Sequence, residues 1–451
     1  MKNLKFNFII LFIAILLFRS QTYGQYNLST FYDNQHDVNA ARLFPSELDL
    51  GKSHFQVGID YDLWVGNNTF DYGSIQDLNS QNSISTNQFN SILSKIKSNN
   101  IFGFGQDIQV LGLAYQYTTP KDEKHVVFTL SVDDKVASNI VLSQNLAKLM
   151  WQGNAQFAGT TTTLDPFAIN VSYTREYVLG TAFSLFGDEH EKELRIGIRA
   201  KYIQGIGSVY MTNKDFTIYT DPQGKFVNVG FDYNINTSRA DNSFNLFNPA
   251  GSGAGLDFSI SYYPSTNFTF AASMTNLNFV TYTKDVVSYS KTGTESYNGA
   301  IIGNLFGDVQ FNPNQLTSVF VPQKTTGGSY MIPVSPNINL LAEYQQMIED
   351  NVKGDYAQNS IFLNYIQGFS NQPGTTVNPF VSAGYTHAFG HTLNLGLSNA
   401  YGGYNRYVFG PFASVYWSHK RFSIGSDNLG GLLFSHIATG IDLTVNFTAS
   451  F

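Results

Sequence analysis

Residues 441–451 of the chain are IDLTVNFTASF. Apolar side chains occupy every second position of this stretch, and small polar side chains fill most of the positions between them. The apolar set is Ile441, Leu443, Val445, Phe447, Ala449 and Phe451. Because successive side chains of a β-strand point to opposite faces, the stretch is predicted to be a strand with one apolar and one polar face.

The same alternation recurs upstream of this strand. It is present in residues 55–65, 194–202, 227–235, 256–262, 268–274 and 392–398. The segments are about 9 to 11 residues long, which is the length that a tilted strand needs to cross the hydrocarbon core of a membrane. Aromatic residues cluster at their ends, and Gly, Ser, Thr and Asn dominate their polar faces. A soluble sandwich also alternates, but length and aromatic placement favour an all-β fold, a transmembrane antiparallel β-barrel.

Composition agrees with this class and excludes others. The 451 residues are 43% hydrophobic, 15% aromatic and only 13% charged, with a net charge of −7, whereas a soluble domain carries roughly 25% charged residues. A nucleic-acid partner is therefore not expected. A mean hydropathy of −0.13 argues against a helical membrane protein. The absence of cysteine excludes disulfides and thiol chemistry.

The N-terminus has the features of an export signal. Lys2 and Lys5 precede the apolar stretch 6–18, and small residues surround the position after Gly24. We therefore predict a signal peptide over residues 1–24, with an uncleaved anchor as the alternative. Together with the strands, this predicts the outer membrane of a Gram-negative bacterium, with outer-membrane lipid around the barrel.

The remaining chain divides into two predicted parts, an N-terminal periplasmic or hatch segment over residues 25–53 and the barrel over residues 54–451. A bacterial single-chain barrel has an even number of strands. We predict about 14 strands, within a range of 12 to 16, and both termini on the periplasmic side. Phe447 and Phe451 are expected to form a C-terminal signal for insertion by the barrel-assembly machinery.

Two segments depart from the alternation. Residues 85–99 and 138–151 carry apolar side chains at helical spacing. The stripes are Phe89, Ile92, Leu93 and Ile96 in the first segment, and Leu142, Leu146, Leu149 and Met150 in the second. We predict two short helices, either packed together in loops or plugging the lumen. Residues 299–336 contain four prolines and are predicted to be a long loop with short extended pieces.

Charged residues on two predicted strands are the candidate lumen residues. Arg195, Arg199 and Lys201 share the polar face of one strand. Asp60 and Asp62 share that of another. If both faces point inward, charges of both signs line the interior and can select solutes. The alternative is that internal salt bridges neutralise these charges, because an unpaired buried charge is costly.

No pattern predicts catalysis. The sequence has no G-x-S-x-G, P-loop or dinucleotide-binding motif. Ser435-His436 follows Asp427 closely, but closeness in sequence is not triad geometry. His387 and His391 fall in a predicted turn, without the helix and third ligand that a zinc pair needs. We therefore expect a protein that is not an enzyme and that has no metal or other cofactor.

The order of several motifs resembles that of a known family. These are FQVGIDYDLWVGNN at 55–68, NNIFGFGQDIQVLGLAYQY at 99–117, ELRIGIRAKYIQGIGSVY at 193–210, GAGLDFSISYYPSTNFTFAASMTNLNF at 253–279 and FSIGSDNLGGLL at 422–433. Together they resemble an uncharacterised Bacteroidetes outer-membrane β-barrel family, a domain of unknown function. That family is itself similar to FadL-type fatty-acid transporters and to PorV, a partner barrel in type IX secretion.

The resemblance covers about residues 40–451 and leaves two functions open. The FadL likeness implies passage of hydrophobic or amphipathic small molecules across the outer membrane, with a hydrophobic ligand as the partner. The PorV likeness implies a non-catalytic barrel of an envelope secretion or assembly machine, with an envelope protein as the partner. FadL-type proteins carry Asn-Pro-Ala near the mature N-terminus, whereas Asn39-Ala40-Ala41 lacks the proline here.

Overall fold

The computed structural model describes most of the chain downstream of residue 36. The described ranges are 37–51, 53–71, 73, 86–98, 100–118, 125–188, 191–240, 245–298, 322–350, 356–429 and 439–451. The predicted signal peptide, residues 1–24, lies outside them.

Nineteen strands are present in this part of the chain. In order they are β1 (Phe55–Asn67), β2 (Asn100–Thr118), β3 (His125–Leu142), β4 (Thr161–Thr163), β5 (Phe167–Asp188), β6 (Glu191–Thr220), β7 (Phe226–Ser238), β8 (Gly251–Ser265), β9 (Phe268–Tyr282), β10 (Val286–Asn298), β11 (Gln323–Thr326), β12 (Tyr330–Val334), β13 (Asn337–Ile348), β14 (Tyr356–Gly368), β15 (Phe380–Phe389), β16 (Leu393–Gly402), β17 (Tyr407–Trp417), β18 (Lys420–Gly425) and β19 (Gly440–Ser450).

Fourteen of these strands form a closed antiparallel barrel. Neighbours in the wall follow one another along the chain, except that β4, β7, β10, β11 and β12 are left out. β1 pairs with β19 from Gln56 to Gly66, which closes the sheet on itself. The predicted all-β fold and its strand number are confirmed. No helix among the described residues has the length and apolar character to cross a membrane.

Alternation along each strand separates the two faces of the wall. On β8, Leu256, Phe258 and Ile260 point outward and are exposed, while Asp257 and Ser259 point inward and are buried. The other wall strands repeat this arrangement. The outer face of the wall is therefore apolar and the inner face polar. This is the distribution found in transmembrane β-barrels, whose outer face contacts lipid.

The two ends of the barrel differ in their connections. The end that holds residues 55 and 451 has short connections, such as 266–267 between β8 and β9 and 418–419 between β17 and β18. The opposite end carries both helices and the additional strands. We call it the long-loop end.

A small sheet continues one side of the wall beyond the long-loop end. β6 is 30 residues long, and its first half pairs with β8. Its second half pairs with β7, which in turn pairs with β10, and β10 pairs with β11. The predicted loop 299–336 contains the short strands β11 and β12, while residues 299–321 lie outside the described part.

The two helices lie in loops at the long-loop end. α1 spans Thr86–Lys95 and α2 spans Gln144–Gln152. Leu93 and Ile96 beside α2 pack against Ala147, with Leu142 at the edge of the contact. Leu146 packs in a cluster with Phe157, Leu164, Ile218 and Val227, against which Leu149 and Met150 also pack. The side chains of Phe89 and Ile92 lie outside the described part.

The second helix starts later than its apolar stripe predicts. Residues 138–142 complete β3, so the predicted start at Ser138 is wrong and Leu142 is a strand residue. The helix begins after Ser143, whose hydroxyl accepts a hydrogen bond from the Leu146 amide at 3.0 Å. It ends at Gly153, which has a φ of 75°. The cap residues, and not the stripe, therefore set its bounds.

Candidate functional site in the barrel lumen

Residues 37–51 lie inside the barrel, and we call them the inner segment. They contain two short 3-10 helices, Ala40–Arg42 and Pro45–Glu47. Leu43 and Phe44 are fully buried against inward apolar side chains. That cluster consists of Ala271, Leu341, Phe362, Ile366, Phe380, Ala400 and Val408. The inner segment therefore fills part of the lumen and packs there as a folded core does.

Arg42 joins the inner segment to the first two wall strands. Its guanidinium contacts Asp60 and lies 2.9 Å from the Asp62 carboxylate, both on β1. It also lies 2.8 Å from the Asp107 carboxylate on β2. Asp60 and Asp62 thus point into the lumen, and their nearest cation comes from the segment that the barrel encloses.

The inward face of β6 holds the opposite side of the inner segment. Arg195 lies 2.5 Å from the Asp49 carboxylate and donates a hydrogen bond of 2.6 Å to the Leu48 carbonyl. Arg199 donates one of 3.2 Å to the Ala41 carbonyl. Gly197 stands between the two arginines, where a Cβ would collide with the backbone of residues 45–46. The inner segment therefore rests directly on this strand.

A connected set of ion pairs crosses the lumen, and we call it the lumen network. Lys201 lies 2.9 Å from Asp257 and 3.6 Å from Glu176. Lys135 lies 2.9 Å from Glu176 and 3.7 Å from Asp107, which leads on to Arg42. The network comprises the carboxylates of Asp60, Asp62, Asp107, Asp133, Glu176 and Asp257 and the cations of Arg42, Lys135, Arg199 and Lys201. Counted over the described part of the chain, these ion pairs join six acidic groups and four basic groups.

A cavity of about 110 Å³ adjoins the lumen network on its long-loop side. Its charged wall consists of Asp62, Asp107, Lys135 and Glu176, from β1, β2, β3 and β5. Its aliphatic wall includes Ile203, Val280, Val334 and Ile366. The cavity is therefore amphipathic, because charged and aliphatic side chains both line it.

The connection between β14 and β15 borders the cavity at the long-loop end. Residues 373–376 line the cavity, and we call residues 370–376 the lumen loop. Asn139 donates hydrogen bonds of 3.3 Å to the carbonyls of Gln372 and Thr375. The Tyr404 hydroxyl donates one of 2.7 Å to the Thr375 carbonyl. Burial raises the pKa of Tyr404, so its phenol remains a donor.

The five candidate lumen residues all point inward, and all take part in ion pairs. Arg199, Lys201, Asp60 and Asp62 belong to the lumen network, and Arg195 holds the inner segment. The arrangement corresponds to the salt-bridged alternative.

Sequence reasoning did not assign the partners of these residues. The alternation along their strands was sufficient to predict that three of these partners point inward. They are Asp107, Lys135 and Glu176, each at an inward position of its strand. Arg42 lies in a stretch without periodicity, so no signal marked it.

The remaining candidates lie elsewhere. Phe447 is on the outer face of β19, with its ring 6.2 Å from that of Trp417. Phe451 is 69% exposed, and its carbonyl accepts hydrogen bonds from the amides of His54 and Phe55. Their role in insertion stays a prediction. Within the described ranges, no group of three or more His, Cys, Asp or Glu side chains is placed to hold a metal ion.

Two solved structures illustrate which proteins the chain is similar to in fold. The Pseudomonas putida toluene transporter TodX is 11% identical, with a TM-score of 0.45, 96% of this chain covered and 99% of that one. A Pseudomonas aeruginosa FadL homologue is 9% identical, with a TM-score of 0.44, 95% of this chain covered and 100% of that one. At such values these likenesses carry no functional conclusion.

The sequence itself is matched at the level of a family. A search of curated proteins found no match. The model of the Family of unknown function (DUF5723) matches residues 51–427, which is most of the chain and includes the strands of the lumen network. The predicted membership of a family of unknown function is thereby confirmed: the chain belongs to the Family of unknown function DUF5723.

Proposed function

We propose that this protein is a non-catalytic outer-membrane barrel that passes small amphipathic molecules through its lumen. The observation that carries the proposal is the cavity, because its charged and aliphatic walls match the two ends of such a molecule. Pockets for small ligands combine apolar surface with placed polar groups, and this cavity contains both.

The barriers on either side of the cavity suit a gated passage. On one side the lumen loop is held by the hydrogen bonds of Asn139 and Tyr404. On the other side the inner segment is held by ion pairs and by packing. We propose that the inner segment is a hatch at the periplasmic end, since it lies just before β1, whose first residue shares that end with residue 451. A molecule would enter past the lumen loop and leave when the hatch moves.

Uptake by intact cells tests the proposal. Cells that produce the wild-type protein are given radiolabelled octanol, octylamine or octanoate, and cells without it set the background. Ala137 lines the cavity on β3, so Ala137→Phe should fill the cavity and reduce uptake to background. Leu130→Phe changes the outward face of the same strand and should leave uptake unchanged. If no probe enters faster than background, the proposed passage is wrong.

A second function is supported by the occlusion of the lumen. The inner segment and the lumen network fill the interior beside the terminal end, and the small sheet of β7, β10 and β11 extends beyond the wall. A non-catalytic partner barrel of an envelope secretion or assembly machine could use that sheet to dock an envelope protein. Crosslinking at native expression tests it: a stoichiometric partner without probe uptake supports assembly, and a lone barrel with uptake supports passage.

A further inference from the structure

We propose that the cavity binds an alkylammonium ion, with the ammonium group against the charged wall and the alkyl chain against the aliphatic wall. The inference rests on the proposed passage of amphipathic molecules and names their class. Three separate features of the cavity support it: the charge balance of its surroundings, an acceptor without a donor, and the position of its aliphatic wall.

The charge balance around the cavity favours a cation. Asp62, Asp107 and Glu176 line it, with Lys135 as the one basic group in its lining. The lumen network that continues from these residues holds six carboxylates and four cations, and nearly all of them are buried. Because uncompensated charge in a buried site is costly, a bound cation would lower the free energy of this network, whereas a bound anion would raise it.

The side chain of Asn278 requires a hydrogen-bond donor. Asn278 lines the cavity from β9 and is only 8% exposed. Among the described residues, none donates to its Oδ1. The amide oxygen lies against Gly255 on the inner face of the neighbouring strand β8, at the edge of the cavity that the Asn278 side chain lines. A buried carbonyl oxygen of this kind is satisfied by a donor such as the N–H of an ammonium group.

The aliphatic wall accounts for the other end of the ligand. Ile203 and Val280 belong to a buried apolar cluster with Ala250 and Ile332, and Ile366 belongs to the cluster around Phe44. Asn278 and Val280 are two residues apart on the same face of β9, so the acceptor and the aliphatic wall adjoin. A short alkyl chain bonded to the ammonium group would reach from one to the other and bury its methylene groups.

Calorimetric titration of the purified full-length protein in mild detergent tests the charge preference. The probes are hexylammonium, hexanol and hexanoate, which share one chain and differ in charge. We expect hexylammonium to bind at least about ten-fold more tightly than hexanol, with no measurable binding of hexanoate. Equal or tighter binding of hexanol or hexanoate would overturn the alkylammonium assignment and leave the passage proposal standing. Binding of none of the three would contradict both.

Two variants test the residues. Asn278→Leu removes the acceptor without changing the charge of the network, and Glu176→Gln removes one carboxylate. Each should weaken hexylammonium binding about ten-fold and leave hexanol binding nearly unchanged. Glu295→Gln is the matched control, because this half-exposed carboxylate pairs with Lys291 on β10, outside the cavity lining, and the variant should bind as the wild type does. If Asn278→Leu folds with an unchanged thermal midpoint and binds hexylammonium normally, the assignment is wrong.

Discussion

At the scale of single residues, Arg42 has the most concentrated set of contacts in the lumen. One guanidinium serves Asp60, Asp62 and Asp107, and all four groups are largely buried. A buried ion pair contributes little compared with an apolar pair of the same shape, but removal of one partner leaves the others uncompensated. Removal of the Arg42 cation is therefore expected to cost more stability than the ion pairs themselves provide.

We predict that Arg42→Met releases the inner segment. Loss of the cation should destabilise the packed position of residues 37–51 by about 3–5 kcal/mol. Hydrogen exchange of these residues should rise toward that of a free chain, while the wall strands stay protected. Glu295→Gln is the control, because this carboxylate is about half exposed and its pair with Lys291 should contribute less than about 1 kcal/mol. Unchanged protection of residues 37–51 would contradict the prediction.

Gly197 gives a second prediction at this scale, because a Cβ there would collide with the backbone of residues 45–46. Gly197→Val should displace the inner segment. The chain has no cysteine, so Ser46→Cys gives a unique label site. Maleimide should label this cysteine slowly alone and quickly together with Gly197→Val. As a control, Ser46→Cys is combined with the outward substitution Ala200→Val on the same strand, which should not change the labelling rate. Equal labelling rates of Ser46→Cys alone and in both combinations would count against the close contact.

At the scale of elements, alternation predicted the wall strands because every wall strand separates lipid from lumen. It could not define the inner segment, since residues 37–51 have neither the helical nor the strand period and are held by tertiary contacts. The helical stripe around Leu142 was misleading at one end. Leu142 is the last residue of β3, but its side chain packs against the apolar cluster around Leu146. An apolar residue at this position is therefore consistent with either a strand or a helix.

The cap of α2 gives the prediction at this scale. The Ser143 hydroxyl accepts from the Leu146 amide and donates to the Leu164 carbonyl at 2.5 Å. Ser143→Ala should destabilise the loop by about 1 kcal/mol, because an N-cap amide loses its partner. Faster hydrogen exchange in residues 144–152, with unchanged exchange in β3, is the expected result. Ser91→Ala, at an exposed position of α1, should show no such change.

At the scale of the whole molecule, the proposed hatch makes movement of the inner segment a condition for passage. The Ser46 and Ser261 hydroxyl oxygens are 2.6 Å apart, so cysteines at both positions should form a disulfide that fixes the segment to β8. Uptake of the octyl probes should fall to background after oxidation and return after reduction. The single variant Ser46→Cys should be insensitive to oxidation. Equal uptake before and after oxidation would exclude a moving hatch.

The closure of the barrel also sets an order of events. β1 pairs with β19, and residues 37–39, which precede β1, contact Thr448 near the end of the chain. The earliest described residues are therefore enclosed by the latest ones. Until β1 and β19 pair, β1 keeps an open edge and the inner segment lacks one side of its enclosure. The inner segment is therefore fully enclosed only when the last wall strand has taken its place beside the first.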